Sequence, residues 1–119
     1  MPLRVAELPI DPLSLKGTTY FIFYASIVDG KMWCSDCRAV DDVVQQTFTD
    51  ANAEALIVDV GKKPEWKAMD NIFRGEPFKI TAVPTIIRMR ESVEVGRLVE
   101  NPDEIKLNLS AFVKDSVDV

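Results

Sequence analysis

The amino-acid sequence predicts an α/β protein with a central mixed β-sheet and helices on both faces. Three observations predict it. Two apolar segments, residues 18–26 and 55–60, flank an amphipathic stretch from Cys34 to about Ala51. Two such strands around one helix make a βαβ unit, almost always parallel and right-handed. Residues 84–89 and 92–99 read as two further strands, and the short Arg90-Glu91 link makes them an antiparallel hairpin. A well-capped helix then ends the pattern, so a βαβ half is followed by a ββα half, and a mixed sheet covered on both sides buries these faces.

In chain order we expect five strands and about four helical segments, arranged β-α-β-α-β-α-β-β-α. Residues 11–16 are a short helical candidate, with Asp11 as N-cap and Pro12 at the first helical position. Residues 18–26 are aromatic and β-branched with little alternation, which suits a central strand buried on both faces. Residues 28–33 follow as a loop containing Gly30. From Cys34 the apolar positions Cys37, Val40, Val44, Phe48 and Ala51 recur at steps of three and four, tracing one helical face. Residues 61–80 are less regular, with a short helix expected near residues 70–74. In the strand of residues 92–99, Val93, Val95 and Val99 share a parity. The last helix has the clearest start signal. Asn101 is its N-cap, Pro102 lies in its first turn and Glu104 is the capping-box partner. Ile105, Leu109, Phe112 and Val113 form its apolar stripe.

With 119 residues, 47% of them hydrophobic, the chain fits one domain spanning residues 1–119, able to bury a core without disulfide staples. The 14 basic residues are outnumbered by 19 acidic ones and are scattered, Lys62-Lys63 being the only basic dipeptide, so no nucleic-acid surface is expected. The first residues lack the apolar core of a signal peptide, and the longest apolar run is about half a membrane span. We therefore expect a cytoplasmic protein, with no membrane partner, in a reducing compartment.

That expectation bears on the only two cysteines, Cys34 and Cys37. The complete absence of histidine removes imidazole catalysis and most zinc sites, and two thiols alone do not complete a tetrahedral metal site. What remains is a redox pair. Cys34 lies where a strand and loop hand over to a helix, and unpaired N–H groups with the positive end of the helix dipole favour its thiolate there. Cys37, one turn on, falls on the buried face and keeps its proton longer. Cys34 is thus the expected nucleophile and Cys37 the resolving thiol of a mixed-disulfide reaction. Asp36 in the first turn favours the helix dipole but opposes ionisation of Cys34, so it is a cap or a discriminator of substrates. Trp33 is read as a flat aromatic at the rim, packing being the alternative. Two inert core cysteines are the bland alternative for the whole pair.

Trp33-Cys34-Ser35-Asp36-Cys37 on a strand-loop-helix resembles a thioredoxin active site, and Val83-Pro84-Thr85 resembles the cis-proline loop of that fold. More specifically, four blocks resemble the Clot, or thioredoxin domain-containing protein 17, family of the thioredoxin-like superfamily. They are residues 30–37 (GKMWCSDC), 60–67 (VGKKPEWK), 71–74 (NIFR) and 79–85 (KITAVPT). The resemblance implies a thioredoxin fold and a monomeric disulfide reductase cycling between dithiol and disulfide. It implies no bound cofactor, with electrons from NADPH arriving through thioredoxin reductase. Small disulfides such as cystine, or selected protein disulfides, are the implied substrates. Pro84 is implied to be cis, setting the Val83 backbone beside Cys34, and the loop with Lys63, Pro64 and Trp66 is read as a substrate or partner rim.

Three departures stand out. Ser35 replaces the family's proline at the first helical position, which loosens the turn and offers a hydroxyl near the Cys34 sulfur. Ala68 replaces an aspartate. The central strand also lacks the buried aspartate that thioredoxin places beneath its cysteines; Asp59 is the only similar candidate for a proton acceptor, its alternative being an exposed strand-end carboxylate. From another functional class, an adaptor or redox-sensing module with little turnover is the second reading. An oxidant or isomerase is the third, disfavoured by a reducing compartment.

Overall fold

The computed structural model describes residues 3–7 and 16–117, and side chains to Val113. The helix expected over residues 11–16 lies outside the described residues apart from Lys16.

Among the described residues the elements are β1 (Leu3–Val5), β2 (Thr18–Tyr24), β3 (Ile27–Val28), β4 (Lys31–Met32), α1 (Ser35–Ala51), β5 (Ala55–Asp59), α2 (Lys63–Lys67), β6 (Thr85–Arg90), β7 (Val93–Val99) and α3 (Pro102–Val117), with a 3-10 turn at Ile72–Arg74. One sheet runs β1-β5-β2-β6-β7. Strand β2 pairs parallel with β5, Tyr20 opposite Ala55, and antiparallel with β6, Ile22 opposite Ile86. Strand β1 pairs parallel with β5, and β7 antiparallel with β6. The mixed α/β sheet expected from the sequence is therefore the fold observed.

The apolar run of β2 has no alternation because both faces of this strand are covered. Residues 20 to 23 have no exposed surface. Tyr20 faces α1 and α3, its ring edge-on to Phe48 at 5.1 Å and to Phe112 at 5.8 Å. Phe21 and Phe23 point the other way, against Phe78 and Phe73. One face thus carries the two long helices. The other is covered by the segment between β5 and β6, which anchors Trp66, Phe73 and Phe78 in the core.

Several expectations are corrected. The loop expected at residues 28–33 is a second, two-stranded ribbon, β3 with β4. Its turn is Asp29-Gly30, both at positive φ, which matches the right-handed twist of flanking strands. The β6–β7 turn is Glu91-Ser92, one residue later than expected, again with both φ positive. The Glu91 N–H donates to the Gly17 carbonyl at 2.9 Å and its carboxylate accepts from the Gly17 N–H at 3.0 Å, which holds this turn without a glycine. Val93, Val95 and Val99 are solvent-exposed, because β7 is an edge strand whose register shifts at Arg88/Met89. The helix near residues 70–74 is the 3-10 turn, its start capped by Asn71, whose Oδ1 accepts from the Phe73 N–H at 2.9 Å. Helix α2 is an element that the sequence pattern does not predict.

Candidate functional site

Cys34 is the N-cap of α1, with extended backbone, and its sulfur accepts the Cys37 N–H at 3.1 Å. A capping position normally taken by Ser, Thr, Asp or Asn is here filled by a thiol, so the donor left unpaired at the helix start is aimed at the sulfur. As a thiol, Cys34 donates to the Val83 carbonyl at 3.6 Å, across 49 residues of sequence. The Val83–Pro84 peptide bond is cis, as is Glu76–Pro77. Val83 and Pro84 are both buried. Cys34 keeps 8% of its surface open and Cys37 none.

Burial alone would raise both thiols, yet the two diverge. The Cys34 thiol is lowered to about 7, chiefly by the hydrogen bond from the Cys37 side chain, helped by the Cys37 N–H and opposed by burial and by the charge of Asp36. Cys37 is pushed up, first because its proton is held by Cys34, then by burial. One sulfur is ionised near neutrality while its neighbour stays protonated behind it.

Alkylation of Cys34 by iodoacetamide should accordingly have its midpoint near pH 7. Compared with a free cysteine of pKa about 8.5, the ionised fraction at pH 7 rises about fifteenfold. Intrinsic nucleophilicity falls about fivefold over the same interval, so the net rate gain is only about threefold and the midpoint is the diagnostic quantity. Because the Cys37 side chain is the largest lowering influence, Cys37→Ala should move the midpoint up. A wild-type midpoint at or above the free-thiol value would contradict this account.

The surrounding residues fall into distinct roles. Ser35 is exposed at the first helical position and Asp36 is half-buried beside it. Trp33 is half-buried, and its indole N–H donates to the Gly61 carbonyl at 2.9 Å, so it is both packed and at the rim. Gly61 also accepts from the Ser26 N–H at 3.2 Å. Its φ is +109°, and any Cβ at residue 61 would stand 3.0 Å from the Glu65 Cβ, so glycine is required there. The sequence shows Gly61 only as one residue of a motif block, and local spacing gives no sign of this joining role.

Asp59 is exposed, and one carboxylate oxygen accepts from the Ser26 hydroxyl at 2.5 Å and the Gly61 N–H at 2.8 Å. It ties together the two loops that flank the cysteines. This is a different position from that of a proton acceptor beneath the sulfurs, because its side chain is committed to loop contacts at the surface. Trp66 is corrected as a rim residue: it is buried, with the Arg74 guanidinium 4.0 Å over its ring and the Arg74 Nε–H donating to its carbonyl at 2.7 Å. Lys63 and Pro64 are exposed on the first turn of α2. Among the described residues no group of three or more potential metal ligands stands together.

The thioredoxin-like architecture is shared with solved structures. A thioredoxin of Malassezia sympodialis superposes with TM-score 0.66 at 18% identity, over 98% of this chain and 94% of that one. Among curated proteins, thioredoxin domain-containing protein 17 of Mus musculus is 35% identical over 77 residues, 61% of this chain and 62% of the relative. The matched region thus spans about three fifths of that relative's length. The thioredoxin-like protein Clot of Arabidopsis thaliana is 28% identical over 100 residues, 80% of this chain and 75% of that protein. The family described as thioredoxin domain-containing protein 17-like, thioredoxin domain, matches residues 12–113. With its paired thiols at the mouth of α1 and this match over most of its length, the chain belongs to the thioredoxin domain-containing protein 17-like family.

Proposed function

We propose that the protein is a cytoplasmic thiol–disulfide reductase in which Cys34 attacks and Cys37 resolves. The observation that carries this reading is the divergence of two thiols one turn apart: Cys34 is lowered to about 7 at the helix start, and Cys37 is buried and held protonated. Family membership supports a thiol redox role in general.

In the first step the Cys34 thiolate attacks one sulfur of a substrate disulfide. A Cys34–substrate bond forms, the substrate S–S bond breaks, and the other substrate sulfur leaves as a thiol after taking a proton from solvent. The Val83 carbonyl, 3.6 Å from the Cys34 sulfur, lies where an extended substrate backbone would pair. In the second step Cys37 attacks the Cys34 sulfur and the remaining substrate half departs reduced. The closed disulfide is returned to the dithiol by two electrons from NADPH, delivered through thioredoxin reductase. Small disulfides such as cystine, and selected protein disulfides, are the substrates proposed, with Lys63 and Pro64 on the exposed rim.

The test is reduction of cystine and of insulin by the protein with NADPH and thioredoxin reductase. Wild type should turn over, and Cys34→Ser should fall to the background of the reductase alone. Partner capture that is equal in both forms, without turnover, would replace this reading by the adaptor one.

A further inference from the structure

The resolving step poses a problem that the two cysteines do not solve. Cys37 attacks only as a thiolate, yet it has no exposed surface, and burial still opposes its ionisation once Cys34 is covalently occupied. The chain has no histidine to take that proton. The groups that act on the Cys37 sulfur are Cys34, Asp36 and the Ala25 N–H, and Tyr24 lies near enough to interact with its charge. Cys34 is itself covalently occupied at this stage. The charge of Asp36 opposes ionisation of both thiols, and the Ala25 N–H stabilises a thiolate but accepts nothing.

Tyr24 stands next to Ala25 and shares the parity of Tyr20, which faces α1. Only 4% of Tyr24 is exposed, and its buried hydroxyl has no hydrogen bond of full geometry, Asp41 being the side chain close enough to interact with it. A phenol hydroxyl in that state is anomalous, since buried polar groups are nearly always paired. Asp41 lies one turn beyond Cys37 on α1, the spacing that places two side chains on one face. Tyr24, Ala25 and Asp41 line a common cavity of about 240 Å³, which Met32 and Ile57 wall with apolar surface. Its other polar residues are Gln45, whose amide donates to Asp41 at 3.4 Å, and Asp59, already engaged by Ser26 and Gly61.

We propose that Tyr24 and Asp41 carry away the Cys37 proton as the mixed disulfide resolves, a role that rests on the reductase reading above. The Cys37 proton moves to the Tyr24 oxygen as the Tyr24 hydroxyl proton passes to the Asp41 carboxylate, directly or through water in the cavity. The Cys37 sulfur then bonds to the Cys34 sulfur, the Cys34–substrate bond breaks, and the leaving sulfur takes a proton from solvent. Asp41 later releases its proton through the open side of the cavity. Burial, followed by the charge and hydrogen bonding of Asp41 and then by the charge of the cysteines, raises the Tyr24 hydroxyl, so it exchanges protons without itself ionising.

The test uses the reduced full chain and the aromatic disulfide dithiobis(nitrobenzoate) in stopped flow, with Cys34 and Cys37 otherwise unaltered. The first thionitrobenzoate released reports attack by Cys34, and the second reports resolution by Cys37. Tyr24→Phe and Asp41→Asn should each slow the second phase by about 100-fold or more at neutral pH, from the lower end of general-base effects upward, with the first phase nearly unchanged. The slowed phase should recover toward wild type as the pH is raised well above the free-thiol value of about 8.5, where hydroxide takes over from the base. Asp41→Glu should restore most of the rate, and Asp36→Asn should not slow the second phase. Wild-type second-phase rates and pH profiles in both Asp41→Asn and Tyr24→Phe would overturn the proposal, as would slowing by Asp36→Asn alone. Should Tyr24→Phe fail to fold by near-ultraviolet dichroism, the two variants of the half-buried Asp41 decide. A wild-type protein with no second phase would instead remove the reductase reading on which the proposal stands.

Discussion

Replacing Cys37 with serine is expected to trap the protein on its substrate. Cys34 remains at the helix start with the residue-37 N–H still available to its sulfur, so the first attack proceeds. Release then depends on thiols from solution. A well-oriented internal nucleophile acts at an effective concentration far above 1 M, so against about 1 mM external thiol turnover should fall by roughly a thousandfold or more. Mass spectrometry under non-reducing conditions should show one substrate half attached at Cys34. The serine hydroxyl can still donate to the Cys34 sulfur, and even complete loss of the Cys37 side chain's influence would only reduce the Cys34 thiolate fraction. That loss is limited to about the fifteenfold difference between a pKa near 7 and a free thiol at pH 7, so it does not account for the expected drop. Turnover near wild type with no adduct would mean that Cys34 works alone.

Phe48→Ala is expected to destabilise the fold severely, costing about 3–5 kcal/mol. Phe48 has no exposed surface and meets Tyr20 edge-on at 5.1 Å where α1 lies on β2. Tyr20 in turn reaches α3, its hydroxyl donating to the Val113 carbonyl at 3.4 Å. Removing the Phe48 ring therefore opens a void where three elements meet, and the loss is a large share of the roughly 5–15 kcal/mol that holds a domain folded. Asn101→Ala is the calibrating comparison. It deletes one cap, the 3.1 Å acceptance of the Glu104 N–H, and should cost about 1 kcal/mol. Urea unfolding of wild type and the two variants measures both effects. A Phe48→Ala midpoint no lower than that of Asn101→Ala would mean that this contact contributes little to anchoring the cysteine-bearing helix.

Local signals are legible where they are strong. The stripe Cys37, Val40, Val44, Phe48 is buried along α1 because a 3.6-residue period needs no tertiary information to recognise. Asn101 caps α3 because its side chain reaches only three residues ahead. Other signals are shorter and easier to miss. Asp29-Gly30 is a hairpin dipeptide, and it makes the β3–β4 turn, but each flanking strand has only two residues. Helix α2 has Pro64 in its first turn and Glu65 accepting from the Lys62 N–H at 2.8 Å, yet five residues are too few to show a period. The parity of the β7 valines misleads because an edge strand with a register shift does not bury one face evenly.

By itself the sequence determined which segments become the longer strands and helices, and that two thiols stand one turn apart at a helix mouth, since those features depend on neighbours a few residues away. Only the tertiary structure decided what surrounds the thiols. Val83 reaches Cys34 because β2 pairs with both β5 and β6, bringing together residues 49 apart. The same packing commits Asp59 to Ser26 and Gly61, buries Trp66 beneath Arg74, and sets Tyr24 and Asp41 on one cavity. Sheet order and register choose such partners, and neither is encoded in local spacing.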